Sequence, residues 1–171
     1  NHSFAIASSR FPVLPVLTDS AAAFSDLDMN SFADLVLTGA LNNNLNVFYV
    51  FRNVGGNFSS VANSVVGVVY GSVAVAEFTG DALPDVVMSG KLANGSGTLS
   101  LYENSGSMTF VRRPNSGLSF PRSIWYRTAA VPLRSQSTAL DLVVVTSAFV
   151  TDRQKVSVYT NGGTGNFSPD S

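Results

Sequence analysis

Oxygen-bearing side chains recur at alternate positions in a short segment near the start of the chain. Asp26, Asp28, Asn30 and Asp34 occupy positions 1, 3, 5 and 9 of this segment. Alternate side chains on a tight loop converge on one point, and Ca²⁺ takes about six to eight oxygen ligands. The spacing therefore predicts a calcium site. The alternative is a turn in which these side chains accept hydrogen bonds from their own backbone.

Two later segments repeat this arrangement with weaker ligands. The residues of the second segment are Glu77, Thr79, Asp81 and Asp85. They are weaker ligands because the Thr hydroxyl carries no charge and Glu is longer than Asp. In the third, a Leu and a lone carboxylate cannot hold Ca²⁺; the residues are Leu133, Ser135, Ser137 and Asp141. Seven of the eleven acidic residues lie in these three segments, so the acidity is placed rather than scattered.

Catalytic chemistry has few candidates in this sequence. The single His, His2, lies beside the chain start and there is no Cys, so Ser–His–Asp and thiol catalysis lack a centre. Glu77 and Glu103 could form a carboxylate pair for glycoside hydrolysis, but a loop ligand and a strand end are simpler interpretations. The glycine-rich segment 162–165 precedes Asn-Phe-Ser-Pro rather than a helix, which indicates a turn and not a phosphate-binding loop. We expect no enzymatic activity.

A basic and aromatic stretch offers a different kind of site. Aromatic rings beside Arg side chains could bind the face of a sugar or an anionic glycan. The residues concerned are Arg122, Trp125, Tyr126 and Arg127. The alternative, which we favour, is that Trp125 takes the position that Val69 holds one repeat earlier and packs between neighbouring repeats.

The sequence contains three repeats, and these predict the strands that position the residues described above. Asp34, Asp85 and Asp141 fall in register, with spacings of 51 and 56 residues. A second shared block ends each time in Asn, and a Gly-containing turn then leads to an aromatic residue. These markers are Asn53, Asn104 and Asn161, followed by Phe58, Phe110 and Phe167. We therefore predict a single repeat region over 1–171, with approximate repeats 4–57, 58–109 and 110–167 that begin at Phe4.

Each repeat has the pattern of four short β-strands. The segments 72–78 and 85–90 are rich in Val and Ala, and 99–102 alternates apolar and polar residues between Gly- and Asn-containing turns. Apolar residues at helical spacing are not sustained anywhere. Four short strands per repeat are typical of a β-propeller blade. We predict an all-β fold of three propeller-blade-like four-stranded repeats.

The loop pattern Asp-Leu-Asp-x-Asn-x-x-x-Asp-Leu-Val-Leu-Thr-Gly, followed by Val-Phe-Tyr-Val-Phe-x-Asn and Gly-Asn-Phe, resembles the FG-GAP/VCBS-type repeat of integrin-α-like β-propellers. The resemblance covers nearly the whole chain in three copies. It implies a propeller fold and calcium in the acidic loops, with the backbone carbonyl of Phe32 as a further ligand. The family usually has Gly at position 6, where this chain has Ser31. Its members include adhesion receptors, lectins, enzyme accessory domains and surface scaffolds.

Three blades do not close a propeller, because known propellers typically have about four to eight. The expected partners are therefore further repeats of a longer chain or other copies of this one. Head-to-tail continuation would close into a ring or extend into a filament. The chain begins Asn1-His2-Ser3 rather than with Met, so we expect a processed or excised segment.

The composition excludes some partners and favours an extracellular setting. Charged residues make up 12% of the chain, against roughly 25% in a typical soluble domain. The net charge of −1 argues against nucleic-acid binding, and every apolar run is interrupted before about 18 residues, which argues against membrane insertion. N-glycosylation sequons begin at Asn1, Asn57, Asn94 and Asn166, and glycans there would hydrate a surface that has few charges.

Together these features predict a non-catalytic, secreted or cell-surface module that serves structure or adhesion. We expect it to be glycosylated, to bind Ca²⁺ and to self-associate, as a filament or surface-appendage subunit does. Two alternatives remain open: a lectin-like propeller that binds carbohydrate, and an accessory domain of a secreted enzyme.

Overall fold

The computed structural model describes residues 10–14, 16–118, 125–133, 139–147 and 154–170, which form twelve β-strands in three four-stranded antiparallel sheets. The prediction of an all-β fold with blade-like, four-stranded repeats is confirmed. Within the described part of the chain, no helix is long and apolar enough to cross a membrane.

Each sheet is a meander in which strands that follow one another in sequence lie side by side. The first sheet contains β1 (Thr18–Ser25), β2 (Asp34–Ala40), β3 (Asn46–Val54) and β4 (Asn57–Val61). The second contains β5 (Val69–Ala76), β6 (Asp85–Lys91), β7 (Gly97–Asn104) and β8 (Phe110–Arg112). The third contains β9 (Trp125–Val131), β10 (Asp141–Ser147), β11 (Gln154–Asn161) and β12 (Phe167–Pro169).

The predicted repeats run from one aromatic residue to the next, but each sheet of the structure ends one strand after the predicted repeat does. Phe58, Phe110 and Phe167 lie on the fourth strand of their sheets, so each aromatic residue closes a sheet rather than opening one. The reason is the Gly55–Gly56 turn, where φ values of 60° and 90° fold the chain back at once onto β3. A sequence period gives the spacing of repeats but not their phase. Phe4, the first predicted boundary, lies outside the described residues.

Consecutive sheets pack face to face through two apolar cores. Strand β1 contacts β5, and β5 contacts β9, so the first strands of the sheets lie next to one another. The first core joins the first and second sheets: Val36, Phe48 and Val50 against Val86, Met88, Tyr102 and Phe110. The second core joins the second and third sheets: Val87, Leu99 and Leu101 against Leu142, Val144, Tyr159 and Phe167. The second sheet is therefore buried on both faces, and its strand β6 is buried at six of its seven positions and carries the unbroken apolar run 86–88.

Candidate functional site

The three aspartates that fall in register are fully buried at the start of the second strand of each sheet. In the first sheet, Asp34 Oδ2 accepts a hydrogen bond from the Leu27 N–H at 2.8 Å, and Oδ1 accepts one from the Asn53 N–H at 2.7 Å. Leu27 belongs to the acidic loop and Asn53 to the end of β3. One carboxylate thus fixes the loop to the third strand of its own sheet. We call this arrangement the aspartate clamp.

The second sheet has the same clamp, and the third sheet has its bond to the third strand. Asp85 Oδ2 accepts bonds from the Phe78 N–H at 3.0 Å and from the Thr79 N–H and hydroxyl at 3.1 and 3.0 Å. Asp85 Oδ1 accepts one from the Asn104 N–H at 2.9 Å, and Asp141 Oδ1 accepts the equivalent bond from Asn161 at 2.8 Å. The clamp is therefore a property of the repeat and not of the first loop alone.

Burial and hydrogen bonding act in opposite directions on these carboxyl groups. Burial raises the pKa of Asp34 above its ordinary value, while the bonds from the Asn53 and Leu27 N–H groups lower it. Burial also raises the pKa of Asp85, against the bonds from Asn104, Phe78 and Thr79. Desolvation favours the neutral carboxyl, and N–H donors favour the carboxylate.

The asparagine at the end of the third strand extends the clamp to the neighbouring sheet. Asn104 Nδ2 donates to the Leu27 carbonyl in the first sheet's loop at 2.9 Å, and Asn161 Nδ2 donates to the Phe78 carbonyl in the second sheet's loop at 2.9 Å. Their Oδ1 atoms accept bonds from the N–H groups of Gly106 and Gly163, which hold the following turn. In the sequence these Asn residues stand out only as markers of the repeat. Their fixed spacing of 19 or 20 residues after the aspartate is the signal that could have shown their role.

The first acidic loop brings together the carboxylates that its spacing predicts. Oxygen atoms of Asp26, Asp28 and Asp34 lie within 4.8 Å of one another. Asp28 Oδ2 forms an ion pair with Arg52 Nε at 2.5 Å, and its side chain is only 9% exposed. Asp28 Oδ1 is buried and has no hydrogen-bond partner in the described structure. The spacing of the loop residues does not reveal Arg52, because Arg52 lies on β3, outside the loop.

The Asx-turn alternative is also present in the first loop. Asp26 accepts bonds from the N–H groups of Asn30 and Ser31 at 2.9 and 2.7 Å, and Asn30 Oδ1 accepts one from the Phe32 N–H at 2.8 Å. Ser31 adopts a φ of 70°, the left-handed conformation that Gly adopts at lower cost, and Ala82 adopts 71° at the same position of the second loop. The sharp turn expected at position 6 therefore forms without Gly.

In the second loop the acidic side chains accept hydrogen bonds from the backbone of the protein itself. Oxygens of Glu77, Asp81 and Asp85 also lie within 4.8 Å of one another. However, Asp85 serves the clamp, Glu77 accepts the Gly80 N–H, and Asp81 accepts the Leu83 N–H at 2.9 Å. The Thr79 hydroxyl donates to Asp85.

The third loop is one residue longer than the other two. Val131 pairs with Asp141, whereas Ser25 pairs with Asp34 and Ala76 with Asp85. Counting back the same number of residues from the aspartate therefore does not reach the equivalent position of the preceding strand in the third sheet. Leu133 is 50% exposed, and Ser135 and Ser137 lie outside the described residues.

The predicted basic and aromatic surface is only partly described. Arg122 lies outside the described residues. Trp125 and Tyr126 open β9, where Trp125 pairs with Ser147 in the register that pairs Val69 with Lys91 in the second sheet. Arg127 is exposed, and its guanidinium donates to the Gly71 carbonyl of the second sheet at 3.4 Å.

Three of the four predicted glycosylation sites lie on exposed residues. Asn57 opens β4, Asn94 lies in the turn before β7, and Asn166 precedes β12. Asn1 lies outside the described residues.

The chain matches no family model and no curated protein. The FG-GAP/VCBS resemblance therefore rests on the sequence pattern.

The clamp predicts that Asp85→Asn and Asp141→Asn each destabilise the fold by about 2–3 kcal/mol, because an amide NH₂ replaces an oxygen that accepts buried N–H groups. Denaturant unfolding in the presence of a chelator measures the change. Asp81→Asn, on an exposed residue of the same loop as Asp85, is the matched control and should stay within about 0.5 kcal/mol of the unsubstituted chain. Equal stabilities for the three variants would contradict the clamp.

Proposed function

We propose that this chain is a non-catalytic structural or adhesive module of extracellular or cell-surface material, built from FG-GAP/VCBS-like repeats, glycosylated and self-associating. The observation that carries the proposal is the use made of the acidic residues. In each sheet the buried aspartate accepts a backbone N–H from the third strand, and in the first two sheets its other oxygen accepts backbone N–H groups of the loop. These aspartates fix the strands and loops within each sheet, and Asn104 and Asn161 link neighbouring sheets, which is the work of a scaffold.

We further propose that Ca²⁺ binds the first acidic loop. Asp28 Oδ1 is a buried carboxylate oxygen with no hydrogen-bond partner among the described residues, and it belongs to a group of three converging carboxylates. A hard cation satisfies such an oxygen. Asp26, Asp28, Asn30 and Asp34 would supply side-chain oxygens, with the Phe32 carbonyl as the ligand that the resemblance adds. The ion would cross-link the loop and take no part in a reaction.

Titration calorimetry with Ca²⁺ should show one site per chain that weakens at least about tenfold in Asp28→Asn, because affinity depends on the number of charged ligands. Arg52→Gln should strengthen binding, since it removes a cation that competes for Asp28. Asp170→Asn, an exposed carboxylate near the end of β12, is the matched control and should leave the affinity unchanged. No heat with the unsubstituted chain, or equal affinities with and without Asp28, would contradict the site.

The extracellular setting is tested through the sequons. Mass spectrometry of the native material, with and without glycosidase, should find glycan on Asn57 and Asn94, whose exposed positions a glycosyltransferase can reach. Asn44, exposed in the turn between β2 and β3 but outside any sequon, should be unmodified. Finding Asn57 and Asn94 unmodified would count against glycosylation and against the proposed location.

A cleft between the first and second sheets favours the lectin-like alternative as a second candidate function. Its volume is about 400 Å³, and it combines apolar walls with the Asp28–Arg52 ion pair. The lining residues include Leu27, Asp28, Arg52, Val61, Leu83 and Met108. Charged hydrogen-bonding groups beside apolar surface suit a sugar ring.

This candidate predicts saturable binding on a glycan array that Arg52→Ala abolishes, because Arg52 is the half-exposed donor of the cleft. Arg112→Ala, on an exposed residue of β8, is the control and should bind as the unsubstituted chain does. Absence of saturable binding to any glycan would remove the lectin-like function and leave the structural one.

A further inference from the structure

The two interfaces between sheets use equivalent positions. We call the face that carries Val86, Met88 and Tyr102 in the second sheet the leading face, and the face that carries Val87, Leu99 and Leu101 its trailing face. The leading face of the second sheet packs on the trailing face of the first, and the leading face of the third packs on the trailing face of the second. Each interface therefore joins one trailing face to one leading face.

The leading face of the first sheet has the same positions but is partly open. Phe24 is 60% exposed, whereas Val75 and Ala130, at the same position of the other sheets, pack against the cores. Leu37 is half-buried, where its equivalents Met88 and Val144 are buried. Phe58 on this face is covered by the stacked ring of Phe11, with ring centroids 4.1 Å apart, and Leu35 and Phe51 are buried. The open part thus lies on β1 and the adjoining part of β2.

The trailing face of the third sheet is open in the same way. Val156 is 61% exposed, whereas the equivalent Phe48 and Leu99 are 6% and 4% exposed. Val143 and Val158 are half-buried, although their equivalents in the other two sheets are fully buried. The residues compared on the two open faces are apolar, as are their equivalents in the faces that meet inside the chain.

Asn53 makes only part of the set of hydrogen bonds that its equivalent Asn104 makes. Its Nδ2 donates to the Ala33 carbonyl at 2.9 Å, as Asn104 Nδ2 donates to Pro84 at 3.2 Å. Asn104 gives its other amide hydrogen to the neighbouring sheet's loop. Among the bonds of the described residues, Asn53 makes no such bond, so its second amide hydrogen remains for a neighbouring sheet.

We propose that a second copy of this chain docks head to tail, with the trailing face of its third sheet on the leading face of the first sheet. The two open faces are the two halves of an interface that the chain already forms twice within itself, so a second copy presents a surface of matching apolar character. This inference rests on the self-association in the proposed function and specifies its route. The contact is heterologous, so each copy keeps one face for the next, and the assembly grows into a ring or a filament.

The test places a charge on either open face. Phe24→Lys changes the leading face, Val156→Lys changes the trailing face, and Val66→Lys is the control, because Val66 is 57% exposed but lies between β4 and β5, outside both end sheets. Sedimentation velocity over a concentration series should show association of the unsubstituted chain and of Val66→Lys. Phe24→Lys and Val156→Lys should each associate at least about tenfold more weakly, because a lysine there is desolvated by docking. Far-UV circular dichroism confirms that all variants are folded.

Mixing the two interface variants makes the test specific for direction. Phe24→Lys keeps an intact trailing face and Val156→Lys an intact leading face, so an equimolar mixture should form a 1:1 dimer and nothing larger. If both variants associate as the unsubstituted chain does, or if the mixture stays monomeric, the head-to-tail route is wrong while self-association stands. If the unsubstituted chain stays monomeric across the series, the self-association in the proposed function fails as well.

Discussion

The structure depends on a buried carboxylate that accepts backbone hydrogen bonds from two directions. A single aspartate at the start of the second strand reaches the preceding loop with one oxygen and the end of the third strand with the other. Burying a charge is costly unless several donors compensate it. In the second sheet three N–H groups and a hydroxyl do so, which fixes the loop, the second strand and the third strand relative to one another.

The asparagine that follows turns a clamp within a sheet into a link between sheets. Apolar cores hold neighbouring sheets together, but the hydrophobic attraction itself is non-directional. The bonds from Asn104 to Leu27 and from Asn161 to Phe78 join fixed points of successive loops. Gly165 adds a backbone bond to the same Phe78 carbonyl at 2.7 Å. These polar contacts specify how one sheet sits on the next, and the cores supply the attraction.

Much of this architecture could be predicted from the sequence. The spacing of Asp34, Asp85 and Asp141 gave the number of sheets, and the Val-rich runs gave their inner strands, because short buried strands need apolar residues. The phase of the sheets could not be predicted, since a periodic pattern has no natural starting point. The extra residue in the third loop was missed for a similar reason: counting back from Asp141 assumes a loop of constant length, and only strand pairing shows otherwise. The roles of Asn104 and Arg52 depend on contacts with loops that are distant in sequence, 77 and 24 residues away.

The aspartate of the clamp and the acidic residues earlier in the loop have separate roles. This explains why the three loops differ in composition while their sheets share one architecture. Asp141 keeps the bond to the third strand in a loop whose Leu133 cannot ligate a cation, so this bond does not depend on a cation at that position. In the first loop the same kind of aspartate lies beside Asp26 and Asp28, whose charges the clamp does not require. Two roles therefore occur in one segment: the last position is an Asp that bonds the third strand in all three sheets, whereas the residues at the earlier positions differ from loop to loop. This division places seven of the eleven acidic residues in the three loops, where the clamp aspartates order backbone N–H groups.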